Sequence, residues 1–383
     1  MGRKRGRMVR LGRRPPNWDR FGKWPPGAAR MVLFVFALLL VAAALTQRTD
    51  IAEPAPPVLS TRPAATTPEV SPEAVVAGEE RDADLQLYDA IADRVAAGEN
   101  YYVAAVEEQR ARNFPVRPGL AVRLPTLAYV QAVLGKWGMI ALATGVSAMV
   151  LGAWWFRLRE EPGGERLTIF VLALIAIGIL AGAKPAYLAL HGVWAGLFLA
   201  LSFGLHRRGR WVAAWLAAAA AVAVREHALP FVLLMGALAW IRRDWRECAS
   251  WALLGLLFLG GLWIHLTAVG ELISPSDPPS PGWLAFRGLG GLTGNIVASS
   301  PLHLLPGWLA APIALLPMLG WAGWRSDAGV FGFLLCAGYG IFFMIAGRDN
   351  NFYWALVVMP VWFVGLAFLP RALTSLWNSA RHH

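Results

Sequence analysis

A chain of 383 residues that is 57% hydrophobic and holds 19 Trp is not a soluble globular domain; it reads as an all-α polytopic membrane protein. The formal charge of +11 is concentrated, because residues 1–30 carry ten Arg or Lys against one acid, Asp19. A basic cytoplasmic tail of this kind is a positive-inside anchor that touches anionic membrane lipids, and nucleic acid is not expected as a partner.

The first apolar stretch, residues 31–46, follows a basic region too long for a typical cleaved signal peptide and is expected to be an uncleaved transmembrane helix. Residues 47–80 hold six prolines and too little apolar content to fold, which makes them a tether. Order is expected to resume in a small helical outer (periplasmic) segment, residues 81–137. There Tyr88, Ile91, Ala92 and Val95 recur at helical spacing and Gly98 marks a stop. A second helix covers about 103–112 and breaks at Asn113-Phe114-Pro115. Residues 124–136 are apolar but short, and read as an interfacial or re-entrant helix; Arg117 and Arg123 beside it meet lipid headgroups or solvate the interface.

Nine further spans are expected in a membrane domain over residues 138–370: 138–155, 167–183, 186–205, 211–224, 228–241, 249–269, 302–323, 329–346 and 352–369. With the first they make about ten transmembrane helices, and residues 371–383 form a second cytoplasmic tail. The stretch 211–241 is either a hairpin of two short spans or one long tilted helix. Pro230 and the positions of Arg242, Arg243 and Arg246 favour the hairpin. The outer loop 270–301 is Pro-rich and reads as a mobile lid, with Gly288-Leu289-Gly290-Gly291 as a flexible turn.

The distribution of basic residues sets the orientation. With the N-terminus inside, Arg157, Arg159, Arg166, Arg207, Arg208, Arg210, Arg242, Arg243, Arg246, Arg325, Arg371 and Arg381 are cytoplasmic. Only Lys184, Arg225, Arg287 and Arg348 fall on the short outer loops. The expected setting is a bacterial inner membrane, with both termini inside.

Several polar groups then collect on the outer side. Asp82 and Asp84 open the outer segment. Both suit the start of a helix electrostatically, but Asp84 shares its apolar face with Tyr88, Ile91 and Val95 and so points at the membrane body as a candidate general base. Arg225-Glu226-His227 is a charged triplet between two apolar spans. It is either an internal ion pair or a phosphate clamp, with Glu226 orienting the Arg225 fork. Arg348-Asp349 precedes Asn350 and Asn351 and supplies a second phosphate candidate, and Lys184 ends another outer turn. His191 lies inside a span, where a packed core histidine is the commoner role. His265 and His303 are too scattered for a metal site, and Cys248 and Cys336 lie on different spans as small apolar residues. There is no Walker motif and no Gly-rich loop after a strand, so an activated donor has to come from the membrane or the outer compartment.

The chain resembles the GT-C superfamily of integral-membrane glycosyltransferases over residues 80–370. The features carrying this are Asp82-Ala83-Asp84 in the first outer loop, the following Tyr88 and Gly98-Glu99-Asn100-Tyr101-Tyr102, the amphipathic helix leading to Leu124-Pro125, Arg225-Glu226, and Arg348 ahead of Tyr353-Trp354. The resemblance implies a polyprenyl-phosphate sugar as donor, a lipid, glycan or protein hydroxyl as acceptor, and an aspartate base. Asp84 would be the base, with Asp82 as alternate base or contact for a divalent metal, which the sequence leaves open. Arg225, Glu226, His227, Arg348, Asp349, Lys184, His191, Tyr88 and Tyr102 would line the substrate. Two other classes stay in view. An oligosaccharide ligase or polymerase typically places a large outer loop late in the chain. A lipid-carrier flippase or transporter is expected to show mid-membrane charges and an internal repeat.

Overall fold

A computed structural model describes residues 19–46, 83–180, 182 and 185–381. The proposed tether, Asp82 and Lys184 lie outside the described residues, as does the basic tail up to residue 18. Among the described residues there are helices and isolated bridges but no strands. In chain order the α-helices are α1 Pro26–Thr46, α2 Ala83–Ala96, α3 Tyr101–Ala111, α4 Thr126–Glu160, α5 Thr168–Leu180, α6 His191–Leu205, α7 Val212–Val224, α8 Leu229–Ile241, α9 Trp245–Gly270, α10 Gly288–Ala298, α11 Gly307–Gly323, α12 Asp327–Ile345, α13 Met359–Trp362 and α14 Leu369–Arg381.

Among the described residues, four stretches are long and apolar enough to cross a membrane: Pro26–Thr46, Gly119–Glu160, Trp245–Gly270 and Asp327–Ile345. A fifth is reached if Asn350–Val357 and Met359–Ala367, bent by 60°, count as one. The other apolar stretches named in the sequence are helical but short. Helices α6, α7, α8 and α11 have 15, 13, 13 and 17 residues. At 1.5 Å per residue, 13 residues reach only about 20 Å.

Side-chain contacts divide the molecule into two ends. At the basic end, Arg157 donates to the carbonyls of Phe203 and His206, both at 2.7 Å. His206 and Arg242 meet Glu247 at 2.7 and 3.0 Å. Arg208 pairs with Asp327, and the Trp324 indole donates to the Pro162 carbonyl. Arg20 reaches the Trp324 carbonyl, and Arg371 meets Asp19. The loops between α4 and α5, α6 and α7, α8 and α9, and α11 and α12 therefore lie together with the start of α1 and with α14. These are the connections in which the sequence concentrates arginine.

The ambiguity over 211–241 resolves at this end. Trp215, in the first turn of α7, donates to the Ser250 carbonyl early in α9, and Arg242, just after α8, pairs with Glu247 in the first turn of α9. The start of α7 and the finish of α8 thus lie at the same end, which is a hairpin. Its tip is the 3-10 turn Glu226–Ala228.

Between the ends sits a core of large aromatics, with Trp154, Trp194, Trp251, Trp321 and Trp362 fully buried. The segment after α12 runs through its middle instead of facing outward. Residues 354–365 are buried without a break. Two glycines permit this passage. A Cβ on Gly196 would fall 2.2 Å from the Leu356 carbonyl oxygen, and one on Gly320 would fall 1.8 Å from that of Gly365.

The other end holds α2 and α3. Asn100 caps α3 by accepting from the Tyr102 and Val103 amides, and Gly98 takes φ +92° at the turn from α2. Leu87, Ile91 and Val95 of α2 pack on Tyr101, Ala105 and Val106 of α3 and reach Val269 of α9. A helix is present where the short apolar segment 124–136 was expected to form one, and it continues into the long apolar helix that follows. Gly135, at φ 60° and ψ −176°, breaks α4 between the two parts. That conformation is open to glycine and strained for other residues.

Two expectations about loop 270–301 are corrected. Gly288-Leu289-Gly290-Gly291 is not a flexible turn but the first turn of α10, whose Leu292, Asn295 and Ile296 are buried. The Pro-rich part is strapped down. Arg110 holds both Asp277 oxygens at 2.9 and 2.7 Å and the Leu272 carbonyl at 2.8 Å. Arg117 donates to the Pro275 and Asp277 carbonyls, and its own carbonyl accepts from the Ser280 amide.

Candidate functional site

A cavity of about 610 Å³ lies between α2, α3 and the 114–131 stretch on one side and the apolar helices on the other. Its walls come from α2, α3 and the 115–131 stretch on one side and from the start of α6 and the α7–α8 tip on another. The end of α12, residues 348–354 and the strap 280–284 complete it. Arg123, Tyr88 and Glu226 meet on one part of the lining, while Phe114, Leu120, Trp283, Leu284 and Phe342 contribute apolar surface. Leu284 is 86% exposed, so the apolar wall runs out onto the molecular surface.

Asp84 lines this cavity with Leu87, Tyr88 and Ile91, as the helix-face reading requires. Asp84 also has a partner within the chain. The Tyr88 hydroxyl accepts from Arg123 Nε at 3.2 Å, and its ring packs edge-on against His191. Burial raises the Tyr88 pKa against the opposing pull of Arg123, which leaves the hydroxyl neutral.

Arg123 is the functional candidate that sequence reasoning placed elsewhere. Instead of sitting at lipid headgroups it lines the cavity. Tyr101 donates to the Arg123 carbonyl at 2.6 Å and fixes its backbone. The available signal was its setting, a single arginine between Val122 and Leu124 beside Pro125.

The triplet at the α7–α8 tip divides. Glu226 and His227 line the cavity, with Glu226 Oε1 2.7 Å from His227 Nδ1 and 3.9 Å from Arg123. Arg225 Nε also lies 3.1 Å from the same Nδ1. One nitrogen cannot donate to the carboxylate and accept from the guanidinium at once. The shorter contact, to an obligate acceptor, puts the hydrogen on Nδ1. The Tyr339 hydroxyl donates to the His227 carbonyl at 2.6 Å and holds the turn.

Arg225 is not among the lining residues. It is 2% exposed, lies over the Tyr353 ring at 5.7 Å and stands behind the wall that His191 and Tyr353 form. The expected phosphate clamp at Arg225 is therefore moved one layer back, because the turn points Glu226 and His227 inward in its place. Its Nη2 is buried without a hydrogen-bond partner among the described residues.

Arg348 does line the cavity, and its Nε is likewise buried and unpartnered among the described residues. Its amide bonds to Asn351 Oδ1 at 3.0 Å, which fixes the entry to the following 3-10 helix. Asp349 opens that helix; its side chain lies outside what the structure describes. Tyr102 faces His265 outside the cavity, and its neighbour Tyr101 takes the lining position. His191 lines the cavity, and its Nδ1 has no hydrogen-bond partner among the described residues. Asp82 and Lys184 lie outside the described residues.

Arg123 and Arg348 offer two guanidinium groups to the cavity, which also holds the carboxylates of Asp84 and Glu226. Among the described residues no three His, Cys, Asp or Glu side chains are grouped to hold a metal. The cysteines are free, Cys336 buried and Cys248 half-buried. Comparison with known proteins gives no match: no protein-family model, no curated protein and no solved structure is significantly similar to the chain.

Proposed function

We propose that the protein is a GT-C-like membrane glycosyltransferase of about ten spans, with both termini inside, that moves a sugar from a polyprenyl-phosphate donor to an acceptor hydroxyl on the outer face of the inner membrane. The observation that carries this reading is the shared cavity. Asp84 from α2, Arg123 before α4 and Arg348 after α12 all line one space whose apolar wall reaches the surface at Leu284. A lipid-linked phosphate sugar has that combination of an anion, a polar ring and a long apolar tail.

In this mechanism Asp84 accepts the proton of the acceptor hydroxyl. The oxygen then forms a bond to the anomeric carbon as the bond from that carbon to the phosphate oxygen breaks. The electron pair leaves on the phosphate, whose added charge falls beside Arg348 and Arg123. Guanidiniums held in place before the reaction stabilise that charge as it develops.

The test is transfer by purified protein supplied with undecaprenyl-phosphate sugars and a membrane acceptor fraction, beside nucleotide sugars as controls. Product from the lipid-linked donor alone is expected. Product only from a nucleotide sugar removes the reading. Accumulation of donor on the opposite leaflet of sealed vesicles without transfer makes the protein a lipid-carrier transporter instead.

A further inference from the structure

We infer that the ribbon of residues 283–287 rests in the membrane interface with Leu284 and Phe286 among lipid acyl chains, so that the cavity opens sideways to the bilayer. This placement needs α9 and α12 to cross the membrane, and it holds whatever reaction the cavity carries out.

The ribbon is held in register against the end of α12. The Ala285 amide donates to the Ile345 carbonyl at 3.1 Å and the Arg287 amide to the Met344 carbonyl at 2.8 Å, while the Gly347 amide donates to the Trp283 carbonyl at 2.7 Å. An extended chain points alternate side chains to opposite faces. Trp283 turns in to line the cavity, and Arg287 turns in to donate to Asn295 Oδ1 at 3.0 Å. Leu284 and Phe286 turn out, 86% and 85% exposed. Two large apolar side chains held outward by a fixed backbone pattern make a surface that water disfavours.

The neighbouring helices identify what covers it. Met344 and Ile345 are the last residues of α12, one of the stretches long and apolar enough to cross a membrane. The ribbon is therefore level with the end of a candidate span, where hydrocarbon meets headgroups. Beside it α12 exposes Ile341 and Ile345, one turn apart. Residues 278–286 carry no charged side chain. The bonds to Met344 and Ile345 also satisfy the last carbonyls of α12, as a chain leaving a helix at this depth requires.

The cavity reaches the same rim. Leu284 lines it, as do Pro281 and Leu120. The Ser280 amide donates to the Arg117 carbonyl, which ties the chain ahead of the ribbon to the stretch that carries Leu120. In that stretch, a Cβ on Gly119 would fall 3.1 Å from Leu266 and 3.5 Å from Val269 near the end of α9, a second candidate span. Both sides of the rim thus stand at the ends of apolar helices of membrane-crossing length. A molecule with an apolar tail can keep that tail in the bilayer while its polar end enters.

The experiment places one nitroxide label at a time on Leu284→Cys, Phe286→Cys, Ile264→Cys and Ser276→Cys. All are made in a Cys248→Ala background and reconstituted in liposomes of phosphatidylethanolamine and phosphatidylglycerol. Cys336 is buried and stays unlabelled in folded protein, so the label count of each preparation reports its folding. Collision with oxygen, which concentrates among acyl chains, is compared with collision with a water-soluble nickel chelate. Ile264 is exposed on α9 and Ser276 is exposed in the strap, so these two positions set the lipid and water values. Labels at 284 and 286 are expected to shift toward oxygen as at 264. Values at 284 and 286 that match 276 overturn the inference. So does protection from both reagents, which puts a second copy or another part of the chain over the ribbon. A water value at 264 itself removes the α9 span and the placement with it.

Discussion

The Arg123 guanidinium donates to the Tyr88 hydroxyl at 3.2 Å, and this bond joins α2 to the chain just before α4. Asp84 lies one turn before Tyr88 on the cavity face, so the contact that fixes Tyr88 also sets where the Asp84 carboxylate stands relative to Arg123. On the other side, Arg123 approaches Glu226 at the α7–α8 tip. One arginine thus links three elements that are far apart in sequence, and the cavity takes its shape from it.

Asp84→Asn keeps the size and hydrogen-bonding capacity of the side chain and removes its basicity. On the proposed mechanism the turnover falls by about 10²–10⁴-fold, the range a positioned general base contributes. Donor binding is expected to persist, because the carboxylate acts on the acceptor. Full activity in Asp84→Asn protein, measured as product formed per folded enzyme, removes the base assignment.

On the proposed mechanism, Arg348→Ala and Arg123→Ala each take away a preplaced donor from the leaving phosphate. Loss of one such group costs about 2.7–4 kcal/mol in the transition state, so each variant should turn over a hundredfold or more slowly. Arg225→Ala differs in kind. Arg225 lies behind the wall, over the Tyr353 ring, so its loss should be smaller than that of Arg348. Steady-state rates for the three variants, side by side, decide this; Arg225→Ala as the most damaging of them would contradict the placement.

Much of this was legible in the sequence. The helix-face pattern from Asp84 to Val95 put the carboxylate on the right wall, because a 3.6-residue period needs only local information. Arginine bias assigned the loops that meet at the basic end, since each loop carries its own charge count. What was not legible depended on contacts between distant segments. The inward turn at Arg225-Glu226-His227 follows from a Tyr339 hydroxyl 112 residues away. The strap at Asp277 follows from Arg110, 167 residues earlier. Gly288-Leu289-Gly290-Gly291 resembles a flexible turn by composition, and becomes helix because Gly291 packs where a Cβ would meet the Phe343 carbonyl at 2.6 Å.

The strap over the cavity should withstand acid. The bidentate bond from Arg110, aided by the Ser274 amide, lowers the Asp277 pKa to about 2. A carboxylate whose folded pKa is depressed contributes its stabilisation above the ordinary value near 3.8 and loses it as pH falls through the folded value. Amide hydrogen exchange in residues 272–281 should therefore stay slow between pH 7 and pH 4 once corrected for intrinsic rates. In Asp277→Asn protein the same amides should exchange faster across that whole range. Identical protection in the variant would falsify the strap.

Glu247 is the keystone of the basic end, and its replacement should destabilise the fold without touching the cavity. It is completely buried in the first turn of α9, where one oxygen accepts from His206, Arg242 and the Trp251 indole at 2.7, 3.0 and 3.2 Å. These contacts bring the ends of α6 and α8 onto α9. Glu247→Ala removes the shared acceptor and strands the partners. Arg242 is 20% exposed, so water relieves part of its lost pairing and the full penalty of a stranded buried charge does not apply. A cost of about 1.5–3 kcal/mol, the scale of hydrogen bonds to a charged group, is expected. Thermal unfolding in detergent should show a lowered midpoint for Glu247→Ala and an intermediate one for Glu247→Gln, which keeps an acceptor oxygen. Donor affinity in protein that remains folded should match the wild type, because no cavity residue belongs to this network. An unchanged midpoint for Glu247→Ala would mean that the α6, α8 and α9 ends are held by packing alone.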